Sequence, residues 1–209
     1  MSDTPKPLLI FDLDETLVHA SERELSVKPH FTFDLYHIYE RHYLREILSD
    51  LSKSFMLAVW SSAGDAYVEY VARQIKPVDV NFEFVWGYSK CTPKSDPETS
   101  RHYNLKNLKK VKRKGFSLRR TLIVDNTPSK VSANYGNAIY IQDFLGSIED
   151  TELLKLRDYL LMIKDREDFT RVEKRFWKSL VWIRNSCLKA SAVHPAPLFY
   201  LYAPAFHAH

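Results

Sequence analysis

The chain has 209 residues, 45% of them hydrophobic, with 30 Lys and Arg against 26 Asp and Glu and two cysteines. That balance excludes a disordered, collagen-like or coiled-coil chain and predicts one domain around one sizeable core. Cys91 and Cys187 lie far apart and outside any C-x-x-C pair, so no disulfide framework or thiolate zinc site is expected, and a formal charge of +4 is too mild to indicate nucleic acid. The opening "MSDTPKPLL" lacks the basic start and long apolar run of a secretory signal, and no later stretch has the apolar length of a membrane span. A cytoplasmic protein with no membrane partner is the expectation.

In chain order, the first apolar run is "LLIF" (Leu8 to Phe11), followed by the amphipathic stretch "RHYLREILSDLSK". "FMLAVW" (Phe55 to Trp60) comes next, then "AGDAYVEYVARQIK" and "YNLKNLKKVKRK", both with apolar residues every three or four positions. "TLIV" (Thr121 to Val124) and "AIYI" (Ala138 to Ile141) complete the runs, and "DTELLKLRDYLLMIK" reads as another helix. Continuous apolar runs suit strands buried on both faces, and their alternation with helical patterns predicts an α/β fold. The architecture expected is three-layered and Rossmann-like, a parallel sheet with helices on both faces. A longer helix is predicted at the end, with Val172, Phe176, Leu180, Ile183 and Cys187 on one stripe covering the sheet, before the apolar tail "HPAPLFYLYAPAFHAH".

Ligands of open parallel sheets bind at the carboxyl ends of the strands. Here "LLIF" runs into Asp12 and Asp14, "FMLAVW" into Ser61 and Ser62, and "TLIV" into Asp125 and Asn126. Taken singly, an Asp after a strand is an ordinary turn or helix cap. Taken together, clustered carboxylates repel one another unless a cation sits among them. Oxygen ligands without His or Cys point to a hard ion, and few carboxylates completed by a substrate phosphate suit magnesium. A calcium loop starting at Asp12 fails, because its sixth position would be Leu17 rather than Gly and its twelfth Arg23 rather than Glu.

These residues carry a resemblance. "FDLDETLVH" resembles the D-x-D-x-T signature of haloacid-dehalogenase-superfamily (HAD) phosphotransferases, in the form found in the small C-terminal-domain phosphatases, or NLI-interacting-factor-like family. "VWSSA" is similar to the second motif, "YNLKNL" to the segment with the third-motif Lys, and "LIVDNTPSK" to the Asp-Asn fourth motif. The likeness runs from about Leu8 to Phe169, and Val172 to His209 lies outside it, as a helical extension and tail of a single HAD-like domain. It implies that Asp14 meets magnesium through its backbone carbonyl, that Asn126 supplies a second protein oxygen beside Asp12, and that Asp125 helps hold Lys106.

The chemistry accounts for those residue types. A phosphate monoester repels an anionic nucleophile, so magnesium and a lysine must neutralise the transferred group before a carboxylate attacks in line. Asp12 is the expected nucleophile, forming a phosphoaspartate. Asp14 is the expected acid and base, first protonating the leaving oxygen and then activating water. Ser61 and Lys106 are expected on the phosphoryl oxygens, and Thr16 orders the motif loop. His19 is expected to support that loop rather than bind metal. The acid-free basic stretch from Lys106 to Arg120 reads mainly as a solvated helix face.

The gaps from Val18 to Phe55 and from Ala63 to His102 leave no room for a large cap domain, which favours an open site and a phosphorylated protein side chain. Resemblance implies phosphoserine or phosphothreonine; phosphotyrosine and a small-molecule phosphate stay open, and so does a non-catalytic module that binds phosphoprotein or nucleic acid. The chain departs from the family pattern at Arg41-His42 and across "GYSKCTPKSDPETSRH". A cysteine-dependent phosphatase is excluded, since the position six residues after each Cys is Pro97 or Val193 rather than Arg, and no G-x-x-x-x-G-K nucleotide loop occurs.

Overall fold

The computed structural model of the chain describes residues 5–95, 100 and 102–193. The apolar tail and part of the "GYSKCTPKSDPETSRH" departure lie outside these residues. Five parallel strands form the central sheet: β1 (Leu8–Phe11), β5 (Met56–Trp60), β6 (Phe82–Trp86), β9 (Thr121–Asp125) and β10 (Ala138–Tyr140). Their spatial order, β10-β9-β1-β5-β6, puts β1 in the middle. β1 and β9 are buried at every position, as their unbroken apolar runs require.

Alternate strand residues feed two cores. Leu9, Phe11, Leu57, Val59, Leu122 and Val124 pack with the apolar faces of α1 (Leu44–Ser52), α2 (Asp65–Ile75) and α4 (Glu152–Ile163). Leu8, Ile10, Ala58, Trp60 and Ile123 pack on the other side with Leu108 and Val111 of the α3 region (Lys109–Arg113) and with Val131. The expected three layers are present, but one is thin, a five-residue helix plus 3-10 turns. α1 buries Leu44, Ile47, Leu48 and Leu51, and α2 buries Val68, Val71, Ala72 and Ile75, each a three-and-four spacing on one face.

Three features differ from the sequence expectation. The stretch "YNLKNLKKVKRK" is no single helix: its first part is β8 (His102–Leu105), paired antiparallel with β7 (Thr92–Ser95). The first gap holds a small antiparallel sheet of β2 (Val18–Ser21), β3 (Phe31–Phe33) and β4 (Tyr36–Glu40). The last helix, α5 (Trp177–Val193), begins after Val172 and Phe176, and it buries Trp177 and Val181 while Phe176, Leu180 and Ile183 of the predicted stripe are exposed. The indole of Trp177 decides the face, because its N–H needs an acceptor when buried and finds the Tyr140 carbonyl at 2.9 Å. Among the described residues no helix is long and apolar enough to cross a membrane.

Arg41 fastens the loops above β1 and β10 to each other. Its side chain is fully buried, donates to Thr16 O (3.0 Å) and Gln142 O (2.9 Å), and pairs with both carboxylate oxygens of Asp150 at 2.9 and 2.8 Å. Burial alone would raise the Asp150 carboxyl, but the Arg41 bonds and charge outweigh it and hold it below the usual carboxylate range. Replacing Arg41 by Met strands that carboxylate and two carbonyls, so Arg41→Met is expected to cost about 3–5 kcal/mol in urea denaturation. Arg41→Lys should recover little of it, since an ammonium cannot make the two-pronged pair.

Candidate active site

The three central parallel strands end at one edge, and their ends bring the sequence-predicted residues together. Asp12 follows β1 and its N–H donates to Val124 O of β9 at 2.8 Å, which locks the two strand ends in register. Asp14 follows two residues on, Ser61 follows β5, and Asp125 closes β9. The β7–β8 hairpin delivers Lys106 from outside the sheet, and the Lys106 N–H donates to Lys130 O at 2.7 Å.

Lys106 is wholly buried, and its ammonium lies 2.6 Å from Asp12 Oδ1 and 2.6 Å from Asp125 Oδ2. Burial would lower its pKa, but the two carboxylates outweigh that and keep it charged. Burial and the neighbouring Asp12 push Asp125 up to about 6, against the pull of Lys106 and of the Thr127 N–H. The other oxygen of the nucleophile candidate, Asp12 Oδ2, is buried and has no hydrogen-bond partner among the described residues. An ionised carboxylate has about four acceptor positions, so this one retains capacity for both a cation and an electrophile.

Asp14 is held differently. Ser61 Oγ donates to its Oδ2 at 3.0 Å and the Tyr67 hydroxyl donates to its Oδ1 at 2.6 Å. Both oxygens thus accept from hydroxyls. Burial and then the Asp12 charge raise its pKa, while the two hydroxyls oppose the rise. A raised carboxyl suits a group that must carry a proton. Ser61 Oγ also accepts from Ala63 N at 3.0 Å, so the residue serves the following turn as well as Asp14.

Thr16 lies buried in the motif loop, and among the described residues its hydroxyl has no hydrogen-bond partner; the loop carries backbone bonds from Leu17 N to Leu13 O at 2.8 Å and from Arg41 to Thr16 O. His19 is a loop support as expected, with Nδ1 2.9 Å from the Glu15 carboxylate. Asn126 donates from Nδ2 to Asp143 at 3.0 Å and accepts at Oδ1 from Thr127 Oγ1 at 3.2 Å. The basic stretch beyond Lys106 is mostly exposed, as a solvated face should be.

Two residues at the site escaped the sequence reading. Tyr67 is one, and it is walled by Phe33 and Tyr36 of the small sheet, with ring centroids 5.4 and 6.5 Å away. Lys130 is the other, its Nζ 3.8 Å from Asp12 Oδ2.

A magnesium ion fits this donor set. Asp12 Oδ2, the Asp14 carbonyl and the Asn126 amide oxygen are hard donors of the kind magnesium takes, and these residues could hold such an ion. Among the described residues no group of three His, Cys, Asp or Glu side chains is assembled for an ion, so a cation here would depend on carbonyl and amide oxygens, water and substrate. A cavity of about 390 Å³ lined by Tyr135, Tyr140, Arg171 and Lys174 contains none of these residues.

The sequence profile of NLI interacting factor-like phosphatases matches residues 7–170. The "CTD small phosphatase-like protein 2" of Dictyostelium discoideum is 27% identical over 173 residues, covering 79% of this chain and 29% of that protein. The human "CTD small phosphatase-like protein" is 25% identical over 173 residues, covering 79% of this chain and 59% of its own length. The chain therefore spans less than two thirds of either relative. Among solved structures, the fission yeast RNA polymerase II CTD phosphatase Fcp1 bound to beryllium fluoride superposes with a TM-score of 0.49 at 17% identity, over 90% of this chain and 56% of that one.

The Lys106 cluster makes a direct test. Lys106→Met leaves two buried carboxylates facing each other and is expected to cost about 3–5 kcal/mol in denaturant unfolding. Adding Asp125→Asn should recover part of that loss, and strict additivity of the two changes would show that the groups do not act as one cluster.

Proposed function

The chain belongs to the NLI interacting factor-like phosphatase family, and from that premise we propose that it is a magnesium-dependent phosphomonoester hydrolase working through a phosphoaspartate on Asp12. One observation carries the reading: a buried carboxylate oxygen, Asp12 Oδ2, that accepts no hydrogen bond among the described residues and stands beside two lysine ammonium groups at the carboxyl edge of the sheet. A bound magnesium ion would supply charge neutralisation on the phosphoryl oxygens, held by Asp12, the Asp14 carbonyl and Asn126.

The chain's own groups do the rest. Lys106 orients Asp12 by gripping Oδ1 and, among the described residues, leaves Oδ2 without a hydrogen bond, with only the Lys130 ammonium near it at 3.8 Å. As the bond from Asp12 to phosphorus forms, the ester bond opposite it breaks, and Asp14 gives its proton to the departing alkoxide. In the second half, Asp14 takes a proton from water, the water oxygen bonds to phosphorus, and the Asp12 carboxylate leaves. Free phosphate is the product. Ser61 and Tyr67 keep Asp14 turned toward the leaving group.

The substrate in this reading is a phosphorylated protein side chain, with phosphoserine or phosphothreonine favoured. Its support is the small three-stranded sheet, which walls one side of the site with aromatic rings instead of closing over it, and the names borne by the relatives.

Hydrolysis of p-nitrophenyl phosphate should require magnesium and cease on chelation. Asp12→Asn should lower kcat by about a thousandfold or more, as loss of a covalent nucleophile does; activity indifferent to the ion or to this change would refute the mechanism. For Tyr67→Phe, kcat on an alkyl phosphate should fall about tenfold or more. The loss on p-nitrophenyl phosphate should be smaller, because that leaving group needs no proton.

A further inference from the structure

The geometry points to Lys130 as a second phosphoryl-binding cation, one that selects the dianion of a phosphomonoester; this deepens the reading above and rests on it. Lys106 and Lys130 flank the same carboxylate, but in unlike ways. Lys106 is sealed in and bonded at 2.6 Å to Asp12 and at 2.6 Å to Asp125, so its charge is already matched by the protein. The Lys130 side chain is 23% exposed, its Nζ lies 3.8 Å from Asp12 Oδ2, and among the described residues that ammonium makes no hydrogen bond. That separation exceeds hydrogen-bond length.

The position follows from where a phosphoryl group must stand. Phosphorus attacked by Oδ2 brings three further oxygens around it, and an ammonium beside the attacking atom meets one of them. At 3.8 Å the ammonium is near the attacking atom without being committed to it by a hydrogen bond, and so can turn to a ligand oxygen beside it. Asp12 acts electrostatically on both Asp14 and Asp125, so a doubly charged group needs positive charge that the carboxylates have not already taken. Lys130 offers it. Its backbone is fixed for the task, with N–H donating to Thr127 O at 3.1 Å and carbonyl accepting from Lys106 N at 2.7 Å, so one short segment after β9 sets both cations. Neither bond uses the side chain, and a substitution at Lys130 leaves them in place.

The test is phosphate binding by the full chain with magnesium present, read from the phosphorus NMR line of inorganic phosphate and from its competitive inhibition of p-nitrophenyl phosphate hydrolysis. Lys130→Met should raise the dissociation and inhibition constants of phosphate about tenfold to a hundredfold, the worth of one charge-assisted hydrogen bond. KM should rise with them while kcat falls less, and Lys130→Arg should restore most of the affinity. An unchanged melting temperature in both variants identifies the effect as local. Unchanged phosphate constants in a parent that hydrolyses would overturn the role of Lys130 and leave the phosphatase reading standing. Lys130-dependent phosphate binding by a parent that hydrolyses nothing would sustain Lys130 and sink the phosphatase reading. A parent that neither binds nor hydrolyses would sink both.

Discussion

The ammonium of Lys106 between two buried carboxylates is the constraint on which the rest of this site depends. Asp12 directly follows the central strand and Asp125 ends its neighbour, so their like charges face each other in a poorly solvated space. A cation brought in by a separate hairpin makes that juxtaposition tolerable. It also breaks the symmetry of the Asp12 carboxylate: one oxygen is gripped, and the other is buried without a hydrogen bond among the described residues. An oxygen in that state is unfavourable for folding and well suited to chemistry, the exchange expected where a fold keeps a reactive group in waiting.

The loops around the cluster are secured from below. Arg41 ties the motif loop at Thr16 to the segment after β10 at Gln142 and to the start of α4 at Asp150. Three stretches distant in sequence meet at one guanidinium, which stands over the Phe144 ring at 5.4 Å. Asp14 inherits its position from this arrangement, and Ser61 and Tyr67 complete it from the next strand and helix. The small sheet adds Phe33 and Tyr36 behind Tyr67, so the orientation of the candidate acid is coupled to the insertion that lines the approach to it.

Much of this was legible in the sequence because it rests on short-range signals. Unbroken apolar runs marked four of the five central strands, and the polar residues after three of them marked the edge where Asp12, Asp14, Ser61 and Asp125 meet. β6 was missed because, as an edge strand, "FEFVW" alternates and lacks a continuous run. The helix expected around Lys106 failed because Leu105, Leu108 and Val111 recur every three residues for two separate reasons: Leu105 is in a hairpin, Leu108 and Val111 against the thin layer. Tyr67 reads as one more aromatic on an amphipathic helix, and Lys130 as the tail of a turn. Their function comes from long-range geometry that no local spacing encodes, although a tyrosine in the first turn of a helix that starts at a site edge was a signal that could have been weighed. The final helix misled for a related reason, since the indole hydrogen bond of Trp177, invisible to periodicity, overrides the larger apolar stripe.

That same indole has a consequence for the rims of the sheet. A strand with one unpaired side invites another chain to pair with it, and folded proteins blunt such rims. Tyr140 sits on the outermost strand at one rim, where its carbonyl is occupied by Trp177. At the opposite rim, β6 meets β5 with a slip in register between Leu57 and Val59, an irregularity of the kind that bends a strand away from flatness. The two rims are guarded by different means, one by a side chain from the last helix and the other by a distortion of the backbone, and unwanted strand addition is discouraged on both.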